Sequence, residues 1–399
     1  MWLSLVFCLS SGCHPPIRLH TTTRLIVVLV AAAAAAVAVG MPVGSHGDEA
    51  AQAVAEGLRM VRWNATRAAW LSLSEIDELV ADGGAASRFV DVTESEGLGK
   101  GYPVAVAGKY VFPAQPMHKA VVGVLANKVE VSAMVANVET FSSFYTRYYT
   151  SDTGRRAAEW VHDLASVYAG AHPGITVEYF ANSFLQPSVI VTIAGQTSDI
   201  VILGAHIDSV GSSSTGRAPG VDDDGSGTVT LLETLRILAA AGVEPYNTIQ
   251  LQFYAAEEVG LRGSAAIANK YASEGKTIVG MAQFDMTCYD GSSAVPTVGI
   301  VTDYTSAPLN AFLRLLVDAY TLEATWTDTK CGYRCSDHAS WTSVGVDAVF
   351  PFEAEFTKSN PFIHGSTDTL DHCSEAHMRD FARLAIGFAI ELSLLQPQP

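Results

Sequence analysis

From residue 120 onward, short apolar runs alternate with helical stretches, and that alternation limits the possible folds more than any other feature of the chain. Runs at 188–194, 199–205, 248–255, 278–284, 296–301 and 347–352 read as strands. Between them, helical spacing of apolar residues predicts helices over 226–241, 261–274, 307–320 and 376–395. The same spacing covers 123–150 and 153–169. Strands that alternate with helices in this way build a parallel sheet with helices on its faces. The expected fold class is therefore α/β, a three-layer α/β/α sandwich with a mostly parallel mixed sheet. In open sheets of this kind ligands bind beyond the carboxyl ends of the strands.

The residues at those ends are acids and imidazoles. The run 199–205 leads into His206-Ile207-Asp208, the run 248–255 into Glu257 and Glu258, and the run 278–284 into Asp285. Three successive acids, Asp222, Asp223 and Asp224, open the helix at 226, and His364 lies in a loop beyond 352. Singly, each has an ordinary reading: a solvated acidic loop, a helix surface, an unremarkable imidazole. Together, like charges converging on one sheet edge repel unless a cation neutralises them. Two imidazoles with several carboxylates and no thiolate suit zinc, manganese or cobalt. A metal pair needs a bridging carboxylate, which one Asp of 222–224 can supply. Of Glu257 and Glu258, one can bind metal while its neighbour takes a proton from water. Asp208 is expected to accept the second N–H of His206 and fix its tautomer.

The beginning of the chain reads differently. Residues 25–40 are apolar, follow Arg18 and Arg24, and end in small residues. That run is short for a membrane span of about 20 residues and matches a signal peptide. Residues 1–40 are expected to be a leader that sends the protein to the extracellular space. Left uncleaved, 25–40 would make it a signal-anchored single-pass protein, its only route to a membrane. Residues 41–118 carry no catalytic constellation and read as a pro-segment, with maturation expected near 115–119. Asn64-Ala65-Thr66 fits a glycosylation acceptor. The catalytic domain is expected over 119–399. A net charge of −17 repels phosphate backbones, so no nucleic-acid partner is expected. Nothing in the sequence points to a subunit interface, so a monomer is expected. Of the six cysteines, no two have the CxxC spacing of a zinc pair. Cys331 and Cys335 could close a short disulfide loop in an oxidising compartment. Cys288 and Cys373 either pair with each other or stay free and buried.

The blocks GAHIDS (204–209), APGVDDDGSG (218–227), YAAEEVGLRGS (254–264), QFDMTCY (283–289), CGYRCSDHASW (331–341), PFEAEF (351–356) and NPFIHGSTDTL (360–370) carry a resemblance. From about 119 to 395 the chain resembles the secreted leucine aminopeptidases of bacteria and fungi that hold a co-catalytic zinc pair. The resemblance implies two Zn2+ ions, with His206 on one, His364 on the other, Asp223 as the bridge, and Glu258 and Asp285 as one ligand each. It implies Glu257 as general base and then acid, and Tyr333 as a donor to the tetrahedral intermediate. Met286, Phe352, Phe356 and Ile363 resemble the lining of an apolar pocket for the first side chain of the substrate, and Cys331–Cys335 the family disulfide. The expected partner is a peptide with a free N-terminus, Leu preferred. Three rivals share parts of this pattern: a glutaminyl cyclase with one zinc, a non-catalytic binding module that has lost ligands, and a carboxypeptidase or dipeptidase. The last would need a cation for a C-terminal carboxylate, and Arg262, Arg334 and Lys358 are available.

Overall fold

The structure, a computed structural model, describes residues 46–64, 66–82, 87–94, 110–170, 172–291 and 295–397. The expected leader, with Cys8 and Cys13, lies outside the described residues, as does 95–109 of the expected pro-segment. Among the described residues no single helix is long and apolar enough to cross a membrane.

The first elements are α1 (His46–Ala55), β1 (Arg59–Asn64), β2 (Arg67–Leu71), α2 (Leu73–Asp82) and β3 (Val90–Asp91). β1 pairs antiparallel with both β2 and β3. Three helices follow: α3 (Lys119–Ala126), α4 (Val131–Ser142) and α5 (Asp152–Ala169). Next come β4 (Ile175–Phe180), β5 (Ser188–Ile193), β6 (Thr197–His206), α6 (Gly227–Ala240), β7 (Asn247–Tyr254), α7 (Arg262–Ser273) and β8 (Ile278–Gln283). The chain ends through β9 (Thr297–Val301), α8 (Ala307–Tyr320), β10 (Thr325–Thr329), α9 (His338–Ser343), β11 (Ala348–Val349), β12 (Pro351–Phe352) and α10 (Glu375–Ser393). Serine side chains cap three of the helices: Ser151 accepts from the Gly154 amide, Ser306 from Leu309 and Ser374 from His377.

The main sheet has the order β11-β8-β6-β7-β5-β4. Strands β11, β8, β6 and β7 run parallel, while β5 and β4 are antiparallel to their neighbours. Alternate residues of one strand face opposite sides. Val201 and Leu203 of β6 join the core under α5, α6, α8 and α10. Ile200 and Ile202 join a second cluster with Ile267, Tyr271 and Trp341, which come from α7 and α9. The sheet is therefore covered on both faces, as the alternation of strand and helix predicts.

Three departures from the sequence reading have physical causes. The run 123–150 is not one helical stretch: α4 stops at Ser142, and the aromatic spacing beyond it reflects side chains drawn into the interior rather than helical turns. Tyr148 and Tyr149 are buried there, and Arg147 is fully buried. The run 347–352 divides between two sheets, with β11 on β8 and β12 antiparallel on β9. Strands β4 and β10 were not legible because neither is a buried apolar run; β10 reads TWTDT and leaves most residues at least partly exposed.

His46–Pro399 forms one compact unit. Val61, Ile76, Val80 and Phe89 of the early segment pack with Tyr148, Tyr149, Val210, Ala256 and Val259. Backbone joins them too, since the Asp91 amide donates to the Gly260 carbonyl (2.9 Å). Further on, the amides of Met117 and His118 donate to the Glu391 carboxylate of α10 (2.9 and 2.8 Å). Asn247, which opens β7, donates to the Leu392 and Leu395 carbonyls, so this end of α10 lies by the amino ends of the strands.

Candidate metal centre

Because β8, β6 and β7 are parallel neighbours, their carboxyl ends lie side by side. Gly204 is in register with Gln283, and His206 with Tyr254. His206, the Glu257-Glu258 pair and Asp285 therefore emerge at one edge. The loop that opens α6 brings Asp223 across this edge, and the loop after β12 brings His364. Asp223 is the meeting point. Its Oδ1 lies 3.0 Å from His206 Nε2 and its Oδ2 lies 3.0 Å from His364 Nε2. Glu258 Oε2 is 3.1 Å from His364 Nε2, and Asp285 Oδ1 is 3.6 Å from His206 Nε2. Two groups result, His206–Asp223–Asp285 and Asp223–Glu258–His364, each with its donor atoms within 4.8 Å of one another. They share Asp223.

All five candidate ligands are largely buried except His364, which is 44% exposed and marks the open side. Ala256, Leu261, Met286 and His364 all have φ between 56° and 62°. Such left-handed backbone at residues with a Cβ costs on the order of 1 kcal/mol each and collects at functional sites.

The electrostatics have one direction. Burial raises the carboxyls of Glu257, Asp285 and Asp224 above their ordinary values, and raises Glu258 to about 7. Asp223 moves the other way despite burial, because His206 and His364 hydrogen-bond to it. Burial should lower both imidazoles, yet the surrounding carboxylates raise them. A cluster this rich in buried acids takes up protons unless cations replace them. Glu258 Oε1, buried and without a hydrogen-bond partner, fits the same reading. Five residues of imidazole and carboxylate character, with one carboxylate turned to both groups, suit a pair of divalent ions.

Asp208 faces two ways. Its Oδ1 is 3.5 Å from His206 Nδ1. Its oxygens also accept the backbone amides of Glu257 (3.0 Å) and Glu258 (3.2 Å). Asp208 thus ties the His206 strand to the two glutamates. Asp285 is held from outside the expected set, since Ser336 donates to its Oδ2 at 2.5 Å. Ser336 follows the Cys331–Cys335 disulfide, which is formed, as is Cys288–Cys373.

Tyr333 lies inside the disulfide loop. Burial, then the charge of Glu257, push its hydroxyl above the usual phenol range. The Arg88 guanidinium of the early segment sits 5.3 Å over its ring. Met286 and Phe352 cluster with Val301, Cys331 and Phe350, with Tyr333, Phe356 and Ile363 packed against them. All four expected pocket residues thus share one apolar patch beside Asp285. Two residues that the sequence reading missed hold the Asp223 loop. Asp368 was legible in principle, inside the NPFIHGSTDTL block, whereas Arg147 lies outside every block and gave no signal.

The chain matches peptidase family M28 over residues 188–389. It is 36% identical over 345 residues to a probable leucine aminopeptidase of Arthroderma benhamiae, covering 84% of this chain and 93% of that protein. It is 41% identical over 297 residues to a probable aminopeptidase of Saccharomyces cerevisiae, covering 71% and 78%. Among solved structures it is similar to the LapA aminopeptidase of Legionella pneumophila, with a TM-score of 0.74, 26% identity, and 84% and 98% of the two chains covered. The chain belongs to peptidase family M28 and is a hydrolase of the aminopeptidase type.

Proposed function

We propose that this member of family M28 is a secreted, two-zinc aminopeptidase that removes an apolar first residue, Leu by preference, from peptides with a free N-terminus. The observation that carries the reading is Asp223, whose two oxygens face two separate groups of donors. His206 and Asp285 would hold one ion, Glu258 and His364 the other, and Asp223 both. Bound there, the ions would polarise the scissile carbonyl and bring the pKa of a water to about 7.

The rest falls to the chain's own groups. Glu257 takes a proton from the attacking water and returns it to the leaving amine. It stands next to Glu258 yet belongs to neither donor group, which leaves its carboxylate free to accept a proton. The Tyr333 hydroxyl, kept protonated, donates to the oxyanion. The patch of Met286, Phe352, Phe356 and Ile363 receives the first side chain. Asp208 holds the amides of Glu257 and Glu258, which fixes where the base stands.

The rival readings lack support of this kind. Arg262 lies 3.6 Å from Asp91 and is packed against the rings of Tyr149 and Phe184. Arg334 lies over Tyr304, and Lys358 pairs with Glu355 at 2.7 Å. Each of these three cations thus has another neighbour in the structure. Two complete donor groups exceed what a one-zinc cyclase needs.

We further infer that residues 1–40 are the export signal and 41–118 a removable pro-segment. The central test is hydrolysis of leucine p-nitroanilide by purified protein before chelation, after it, and after zinc is returned. Activity should vanish on chelation and return with zinc; full activity in the metal-free protein would end the metal reading.

A further inference from the structure

We propose that Arg147 and Asp368 are positioning residues that grip the loop of Asp223 from its two sides and so set the placement of the two metal positions relative to each other. The inference rests on the two-metal reading above and concerns residues that touch neither ion nor substrate.

The loop 219–224 makes a sharp turn at Gly220, where φ is 51°. Its carbonyls on one side point at Arg147. Nη1 donates to the Pro219 carbonyl, and Nη2 donates to the Gly220 carbonyl at 2.9 Å. The third arm of the fork, Nε, donates to the Ile207 carbonyl at 2.9 Å, between His206 and Asp208. One guanidinium therefore fastens the loop of the bridging carboxylate to the strand end that carries His206. The amides on the other side of the loop point at Asp368. Its Oδ1 accepts from Asp222 and its Oδ2 from Asp223, both at 3.0 Å. Asp368 stands four residues beyond His364 in the same loop. The segment that delivers His364 thus also fixes the backbone of Asp223.

The fit is tight. A Cβ at Gly220 would lie 2.6 Å from Arg147 Nη2 and 2.4 Å from the Asp223 carbonyl oxygen, so only glycine lets the guanidinium approach. Arg147 is itself immobilised. Its amide donates to Ser209 Oγ (3.1 Å), its carbonyl accepts from Gln186 Nε2 (3.1 Å), and its guanidinium lies 4.2 Å from the Phe141 ring centroid. Burying a cation with no carboxylate in hydrogen-bond contact is costly. Burial lowers its pKa only to about 10, opposed by the charges of Asp368, Asp208, Asp224 and Asp223, so it stays charged at neutral pH. A purely architectural role would be met by a neutral donor. A rigid cation with three directed donors, facing four acids of the centre, suits a part that keeps an acid-rich loop in shape before and after the ions bind.

The test compares the full chain with Arg147→Met, Arg147→Lys and Asp368→Asn, measuring zinc stoichiometry, zinc affinity by chelator competition, and thermal stability with and without zinc. Wild type should bind two zinc ions. Arg147→Met and Asp368→Asn should bind zinc about 10- to 100-fold more weakly, the range for groups that orient ligands. They should also lose part of the rise in melting temperature that zinc produces. Arg147→Lys, which keeps the charge but not the fork, should fall between. Where Arg147→Met yields no folded protein, Arg147→Lys and Asp368→Asn decide. Two zinc ions in every variant with wild-type affinity overturn the clamp alone. So does an equal drop in melting temperature with and without zinc. A wild-type chain that takes one ion overturns the two-metal reading and the clamp with it.

Discussion

Glu257 and Glu258 are chemically alike and adjacent, yet the site places them differently. Glu258 Oε2 lies 3.1 Å from His364 Nε2 and belongs to a donor group, whereas Glu257 belongs to neither. What separates them is backbone: Asp208 holds one amide with each oxygen, so the two side chains leave from fixed points. Glu257→Gln preserves size and keeps every donor of both groups. It should retain two zinc ions by metal analysis and lose activity by about 100- to 10,000-fold, the usual contribution of a positioned proton acceptor. Near-normal turnover in this variant would remove Glu257 as the base. At this scale the sequence was informative where chemistry follows an apolar run directly, as with His206, Glu258 and Asp285. It was incomplete for Asp208. Proximity to His206 in sequence suggested a contact with the imidazole, and the carboxylate, 3.5 Å from Nδ1, also reaches two amides about fifty residues away. Arg147 was illegible for a related reason. Its partners are carbonyls, and a backbone carbonyl leaves no mark on residue type.

Among the elements, the two disulfides divide stability from chemistry. Cys288–Cys373 spans 85 residues and Cys331–Cys335 only four. By chain entropy the long loop contributes about 5 kcal/mol and the short one about 2 kcal/mol. The short loop, however, carries Tyr333 and leads into Ser336, which holds Asp285. Replacing Cys288 and Cys373 with Ala should therefore lower the melting temperature more. Replacing Cys331 and Cys335 with Ser should lower kcat more. Thermal unfolding and steady-state rates on the two double variants check this, and the reverse ranking would separate Tyr333 and Ser336 from the rate. The sequence left the pairing of Cys288 and Cys373 open because nothing local joins them. Only the folded chain brings the region after Asp285 to the start of α10, where the Ser374 amide donates to the Cys288 carbonyl at 2.7 Å. The strands themselves were legible where buried residues form nearly continuous apolar runs, as in β5 and β8. The reading failed at 347–352, where the five apolar positions after Asp347 serve two sheets.

For the whole molecule, the question is what residues 46–94 do. They cover Tyr148, Tyr149 and Val259, place Asp91 beside the buried Arg262, and set Arg88 over Tyr333. Their loss would expose an apolar face and leave Arg262 without its acid. Breaking a buried ion pair alone costs about 3–5 kcal/mol. Compared with 41–399, a chain of 119–399 should turn over leucine p-nitroanilide faster and melt at a lower temperature. Equal rates would take away the restraining role, and equal melting would take away the bracing one. Composition hinted at none of this, because the contacts are spread thinly over distant residues. A last consequence follows from Glu391. An enzyme that trims chain ends carries a hazard in its own beginning. The Met117 and His118 amides are held by Glu391, at the edge of the sheet opposite the metal centre. A chain opened before Met117 would present its new ammonium to that same carboxylate. The anchor would then keep the fresh terminus out of reach of neighbouring copies, protecting the enzyme from its own appetite.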